Sequence, residues 1–225
     1  MTEQPLIRAR GLYKVYEGGG KRVEVLRALD LDVARAEAVV ILGQSGVGKS
    51  TLMHVLGALD RPSAGEVFFD GRPLGEMSER ELASFRNREI GFVFQFHHLL
   101  PDFSALENVM MPALIAGLDW DEAAGRARQA LAQVGLEPRL SHKPGELSGG
   151  EQQRVAVARA VVLAPRAVLA DEPTGNLDPA TADEVHRLLL GLKRERGIAL
   201  VLVTHNEQLS QLADRTLRLR NGKLE

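Results

Sequence analysis

The sequence predicts an α/β fold: a mainly parallel sheet, a small antiparallel sheet beside it, and a helical insertion. Three observations predict it. First, four short apolar runs end in polar residues: residues 38–42 (AVVIL) run into Gly43, 91–94 (GFVF) into Gln95, 167–170 (AVLA) into Asp171 and Glu172, and 199–203 (ALVLV) into Thr204 and His205. Continuous apolar runs of this length, rich in β-branched residues, read as strands covered on both faces. Second, helical patterns lie between them, which points to parallel pairing. Third, the chain from about 96 to 164 reads as helix throughout, longer than a simple crossover needs. Ligands of parallel sheets bind beyond the carboxyl ends of the strands. Gly43, Gln95, Asp171, Glu172 and His205 are therefore expected to gather at one edge.

Composition narrows the function. The chain has 225 residues, 44% of them hydrophobic and 26% charged, enough for a proper core. Its net charge of −2 is spread over both signs, so no nucleic-acid partner is expected. No cysteine is present, which excludes disulfides and thiolate metal sites and fits a reducing compartment. The first residues are polar and mixed, with no signal peptide expected. No apolar run reaches the ~18 residues that span a bilayer, so work at a membrane would need a partner to hold the chain there.

The first strand leads into GQSGVGKST, residues 43–51, which matches G-x-x-x-x-G-K-[ST]. Gly43, Gln44, Ser45, Gly46, Val47, Gly48, Lys49, Ser50 and Thr51 are expected to wrap phosphates. Backbone N–H groups line such a loop, Lys49 reaches the β/γ-phosphates of a nucleotide such as ATP, and the Ser50 hydroxyl ligates Mg²⁺. A helix should follow, with Leu52, Val55, Leu56 and Leu59 as its apolar stripe. Asp171 and Glu172 close the third strand. An acid there helps hold Mg²⁺, and the second carboxylate is free to act as a base on water.

The helical stretch has its own signals. Ser104 and Glu107 have capping-box spacing before a helix through Val109 and Leu114. A second helix follows over residues 121–136, with Gly135 near its end. Then comes LSGGEQQRVAVARAVVLA, where Ser148 and Glu151 repeat the capping-box spacing. A cap alone does not account for Gly149 and Gly150, which weaken a helix start. Exposed N–H groups at that positive helix end suit an anion. Asp178, before Pro179, is a plausible N-cap for a helix containing Ala182, Val185, Leu188 and Leu189.

Together, LSGGEQQR, the phosphate loop, VLADEPTGNLD and LVTH resemble the ATPase subunits of ABC transporters, over nearly the whole chain. The resemblance implies a P-loop NTPase (RecA-like) core over about 1–95 and 165–225, with an antiparallel β subdomain, and an inserted α-helical subdomain over about 96–164. It implies two copies paired head to tail with two ATP molecules between them. Each ATP would be held by one phosphate loop and by Ser148, Gly149 and Gly150 of the other copy. It makes Gln95 the residue meeting Mg²⁺ and the attacking water, Glu172 the base, and His205 the contact to the γ-phosphate. Asp178 falls at the subunit junction. Tyr16 stacks on adenine, with Tyr13 as rival. Many members carry glutamine where this chain has Glu151, which leaves ATP binding unaffected.

QFHHLLPDFSALENV (95–109) and ADEPTGNLD further resemble the ATPases of bacterial lipoprotein-releasing complexes. That implies a peripheral protein on the cytoplasmic face of the inner membrane, two transmembrane partner subunits, and lipoprotein cargo handled by those subunits. Macrolide-exporter and cell-division ATPases remain the alternatives, although macrolide exporters usually fuse this domain to membrane helices. A non-transport ATPase of the superfamily would carry a long coiled coil or a second such domain. His97 and His98 are adjacent and point different ways, so they are not expected to share a metal. With Leu99 and Leu100 they are expected to form a surface towards the membrane subunit. His54, His142 and His186 read as ordinary helix or loop residues. Asp70–Gly71 and Asn221–Gly222 mark hairpin turns of the antiparallel sheet, and Gly18, Gly19 and Gly20 separate two strand-like runs.

Overall fold

The computed structural model describes residues 4–18 and 21–225. Gly19 and Gly20, expected to separate two strands, lie outside the described residues. On either side of them β1 (Ile7–Gly18) and β2 (Lys21–Val33) pair antiparallel. The chain then runs through β3 (Ala38–Leu42), α1 (Lys49–Leu56), β4 (Ala64–Phe69), β5 (Arg72–Pro73), α2 (Glu79–Glu89) and β6 (Ile90–Phe94). Three helices follow, α3 (Ala105–Ile115), α4 (Trp120–Gln133) and α5 (Gly149–Val161). The last part is β7 (Ala167–Asp171), α6 (Pro179–Arg196), β8 (Ala199–Thr204), β9 (Arg215–Arg220) and β10 (Lys223–Leu224).

The strands form two sheets. One is antiparallel, in the order β2-β1-β4-β5. The other has the order β10-β9-β3-β8-β7-β6, parallel from β9 to β6. All four apolar runs read from the sequence are thus neighbours. Alternation along them covers both faces. In β3, Val40 and Leu42 join a core built with α3 to α6, while Val39 and Ile41 join one built with α1 and the antiparallel sheet. A strand buried on both faces cannot show a polar alternation, which is why these runs are continuously apolar.

Local chemistry sets the helix ends. Ser78, Ser104 and Ser148 each form a capping box with a glutamate three residues on. Asp178 Oδ1 accepts from the N–H groups of Ala180 and Thr181 and caps α6, whose far end stops at Gly197. Asp70 and Gly71, and likewise Asn221 and Gly222, have positive φ, as a two-residue hairpin turn requires. The second of these hairpins corrects the expectation. β9 and β10 extend the six-stranded sheet, because β9 finds its partner along the open edge of β3. Leu59 corrects another: α1 ends at Leu56, and Leu59 lies beyond it, exposed.

Two consequences can be measured. A Cβ at Gly91 would lie 2.3 Å from the carbonyl oxygen of Ala160, so β6 and α5 meet here backbone to backbone. Gly91→Ala should destabilise by about 1–3 kcal/mol, read as a lower melting temperature. At the start of α5 the Ser148 N–H and the Arg139 guanidinium hold the Glu151 carboxyl down at about 2, against an ordinary 4.5. A depressed carboxyl stabilises the fold above its unfolded value and stops doing so as pH falls through its folded one. Glu151→Ala should therefore cost about 0.5–2 kcal/mol at neutral pH, and the gap from wild type should narrow below pH 4.5, measured by urea unfolding.

Candidate active site

The parallel register brings the predicted residues together. Gln44, Ser45, Gly46, Gly48, Lys49, Ser50, Thr51, Gln95, Glu172 and His205 line one cleft of about 640 Å³ beyond the carboxyl ends of β3, β6, β7 and β8, joined by Val25 from β2. Gly43 and Val47 line a neighbouring cleft on the other side of the same loop. The loop turns into α1 at Gly48, with φ +108°, a conformation open to glycine and costly for other residues. No side chain caps α1, so its first N–H groups stay available to an anion.

Lys49 is buried and points into the loop. Its ammonium donates to the carbonyls of Gly43 (2.8 Å) and Gln44 (3.0 Å) and lies 3.2 Å from Glu172 Oε1. The other Glu172 oxygen, Oε2, accepts from Thr204 Oγ1 (3.1 Å) and sits 3.0 Å from His205 Nδ1. Glu172 has φ +45°, a strained value for a side-chain-bearing residue. Its N–H is fixed to Val203 O at 2.9 Å, so the bend that aims the carboxylate is held by the β7–β8 pair.

Asp171 is different. Burial pushes its carboxyl up, with the Ser50 hydroxyl opposing and the charge of Glu172 adding to the rise. Its Oδ1 is buried without a hydrogen-bond partner among the described residues. A buried carboxylate oxygen with no donor is costly, and a cation beside Ser50 would satisfy it.

The glycine-rich element expected as a second phosphate site lies outside this cleft. Ser148, Gly149 and Gly150 start α5, and none of them lines it. The structure also changes what the two glycines mean. A Cβ at Gly150 would lie 2.4 Å from Thr181 Cγ2 of α6, so this glycine is needed for packing. A Cβ at Gly149 would meet only Leu177, at an ordinary 3.5 Å, so packing does not require a glycine there. Tyr16 is likewise away from the lining residues. Its hydroxyl donates to Asp60 (3.0 Å), and Lys14 Nζ stands 5.0 Å over its ring. Against the cost of burial, bonds from Lys14 and Tyr16 hold the Asp60 carboxyl below its usual range. Tyr13 is exposed to a similar degree.

Several polar anchors were invisible in the sequence reading. Gln153, wholly buried in α5, donates to Phe94 O (3.2 Å) and contacts His97 Nδ1 through its Oε1. Arg159, also on α5, donates to the carbonyls of His97 and His98. Asn108 in α3 bonds both N–H and carbonyl of Leu100. The loop after Gln95 is therefore pinned from two helices. His97 is half-buried with its ring against Gln153, and the exposed apolar side chains of this loop are Phe96, Leu100 and Phe103. The only signal was a polar residue on an otherwise apolar helix face. His186, read as ordinary, is buried beside Thr174 Oγ1 at 2.8 Å, and burial pushes its imidazole pKa down.

Comparison with known proteins agrees with this geometry. Residues 26–175 match the family model described as ABC transporter. The chain is 57% identical to the lipoprotein-releasing system ATP-binding protein LolD of Geobacter metallireducens, over 97% of each chain. It is 55% identical to LolD of Myxococcus xanthus over 97% of this chain and 98% of that one. Among solved structures it is similar to the dimeric ABC transporter cassette MJ0796, at a TM-score of 0.90 and 38% identity over 97% and 96% of the two chains. A post-hydrolysis dimer of the same cassette, bound to ADP and Pi, matches at 0.90 and 37%, with the same coverage. The chain belongs to the ABC transporter family and is one of its ATP-hydrolysing subunits.

Proposed function

We propose that two copies of this chain close head to tail on ATP and Mg²⁺, and that hydrolysis drives membrane subunits that release lipoproteins from the bacterial inner membrane. The observation that carries this reading is the division of the phosphate-binding elements. Lys49, Ser50, Gln95, Glu172 and His205 share one cleft, while Ser148, Gly149 and Gly150 stand outside it. A second copy is the simplest source of the missing half. The relatives named LolD support the cargo class, and the dimeric cassettes support the pairing.

Lys49 would exchange two neutral carbonyls and a carboxylate for the charged oxygens of a phosphate. Tyr16 would stack on adenine through the ring face that Lys14 leaves open. Magnesium fits the residues present, given that Asp171 Oδ1, beside Ser50, has no partner among the described residues. Ser50, Asp171 and Gln95 would hold it, and once bound it would neutralise charge on the phosphate oxygens. Glu172, released from Lys49, would orient and deprotonate the attacking water, and His205 would contact the γ-phosphate. That phosphate would touch both copies, so ATP favours the closed pair and its hydrolysis removes the differential contact.

Among the described residues no helix is long and apolar enough to cross a membrane, so membrane subunits would hold the chain at the cytoplasmic face. Phe96, Leu100 and Phe103 offer them an apolar surface next to Gln95.

Glu172→Gln should bind ATP, accumulate as a dimer on a sizing column, and hydrolyse at least about a hundredfold more slowly. Wild-type turnover would remove Glu172 as base. Replacing Leu100 and Phe103 together by alanine should leave basal ATPase near wild type while reconstituted lipoprotein release fails. Pull-down from native membranes should recover transmembrane subunits of a lipoprotein-releasing type, and recovery of ribosomes or DNA instead would sink the transport reading.

A further inference from the structure

The turn between Glu172 and α6 carries a contact that no motif assigns. Asn176, exposed at its tip, meets Gln95 twice. Gln95 Nε2 donates to Asn176 Oδ1 at 3.0 Å, and Asn176 Nδ2 donates to the Gln95 main-chain carbonyl at 3.4 Å. We propose that Asn176 is a positioning residue that decides which end of the Gln95 carboxamide faces the cleft. This assignment rests on the reading of Gln95 as the residue that meets the cation and the attacking water.

The chemistry runs in one direction. A main-chain carbonyl only accepts, so Asn176 must turn its NH₂ towards it. Its Oδ1 is then the end that meets the Gln95 side chain, and an acceptor there demands the Gln95 NH₂. Gln95 Oε1 is the end left over, on a side chain that lines the cleft with Lys49, Ser50 and Glu172. An amide flipped the other way would bring its NH₂ to a cation and two oxygens into opposition at Asn176. Orientation is thus relayed from a backbone group, which cannot rotate, to a side chain that otherwise could.

The turn is built to hold Asn176 still. Gly175 N–H donates to Glu172 O (3.0 Å) and Leu177 N–H to Thr174 O (3.1 Å). Thr174 is tied to buried His186, and Asp178 caps α6. Gly175 permits the approach, since a Cβ there would lie 2.9 Å from Gln95 Nε2. One short turn therefore sets both the carboxylate of Glu172 and the amide of Gln95.

The test uses the full chain, three single variants and the Asn176→Ala/Gln95→Ala double variant. With ¹⁵N-labelled glutamine, the Gln95 NH₂ signals are identified by their loss in Gln95→Ala. They should shift and lose exchange protection in Asn176→Ala, and shift in Gly175→Ala, where Asn176 is intact but Gln95 is displaced. In ATPase assays, Asn176→Ala should raise the Mg²⁺ concentration for half-maximal rate on the order of tenfold, with KM for ATP at saturating Mg²⁺ unchanged. A merely structural tie would lower stability without moving that metal dependence. Asn176→Ala should add nothing to Gln95→Ala. Unmoved Gln95 signals, an unmoved Mg²⁺ dependence, or fully additive losses over an impaired Gln95→Ala would overturn the assignment alone. A Gln95→Ala variant with wild-type rate and Mg²⁺ dependence would overturn the reading of Gln95, and this assignment with it.

Discussion

The parallel hydrogen-bond ladder joining β3, β8, β7 and β6 is the constraint on which the site depends. Its register pairs Leu42 with Thr204, Asp171 with Val203, and Phe94 with Asp171. Each strand therefore ends at nearly the same height, and the next residue of each emerges at one edge. Gly43, Gln95, Glu172 and His205 come from four distant parts of the chain, and the ladder alone makes them neighbours. A slip of one strand by one residue would exchange its two faces as well as move its functional residue. Because both faces are buried in separate cores, such a slip would cost both cores at once.

On this frame the polar groups of the site are held by bonds that leave little freedom. Glu172 is aimed by a strained bend whose N–H is tied to β8, and its carboxylate is shared between Lys49, Thr204 and His205. The segment after Gln95 hangs on Gln153 and Arg159 of α5 and on Asn108 of α3. The helix that begins at Ser148 thus grips the loop that begins at Gln95. Gln153 and Arg159 hold the backbone carbonyls of Phe94, His97 and His98 to α5. The strand ends carry the candidate site residues, and the pinned loops carry the exposed surfaces.

Much of this was legible beforehand. The four strands, the capping boxes at Ser104 and Ser148, and the cap at Asp178 are local or periodic signals, and each reappears in place. What local signals could not supply was which distant element each residue meets. Asn221–Gly222 announces a hairpin but cannot say which sheet its strands join. Leu59 continues a stripe that α1 does not live long enough to use. Gly150 looks like half of an anion site, and only Thr181, 31 positions later in the sequence, gives it a packing reason. His97, beside His98, and His186, within a helix, have partners, Gln153 and Thr174, that come from other elements.

By itself, the sequence determined the element types, the strand–loop–helix setting of residues 43–51 and which residues follow the strands at one edge, because caps, periodicity and turn residues act over a few positions. Only the tertiary structure decided that Asp171 Oδ1 has no hydrogen-bond partner among the described residues, that Glu172 is shared among three groups, and that Asn176 bonds to Gln95. Those facts depend on hydrogen bonds between residues far apart in the chain, and a bond between two side chains exists only once the backbone has set their distance and angle.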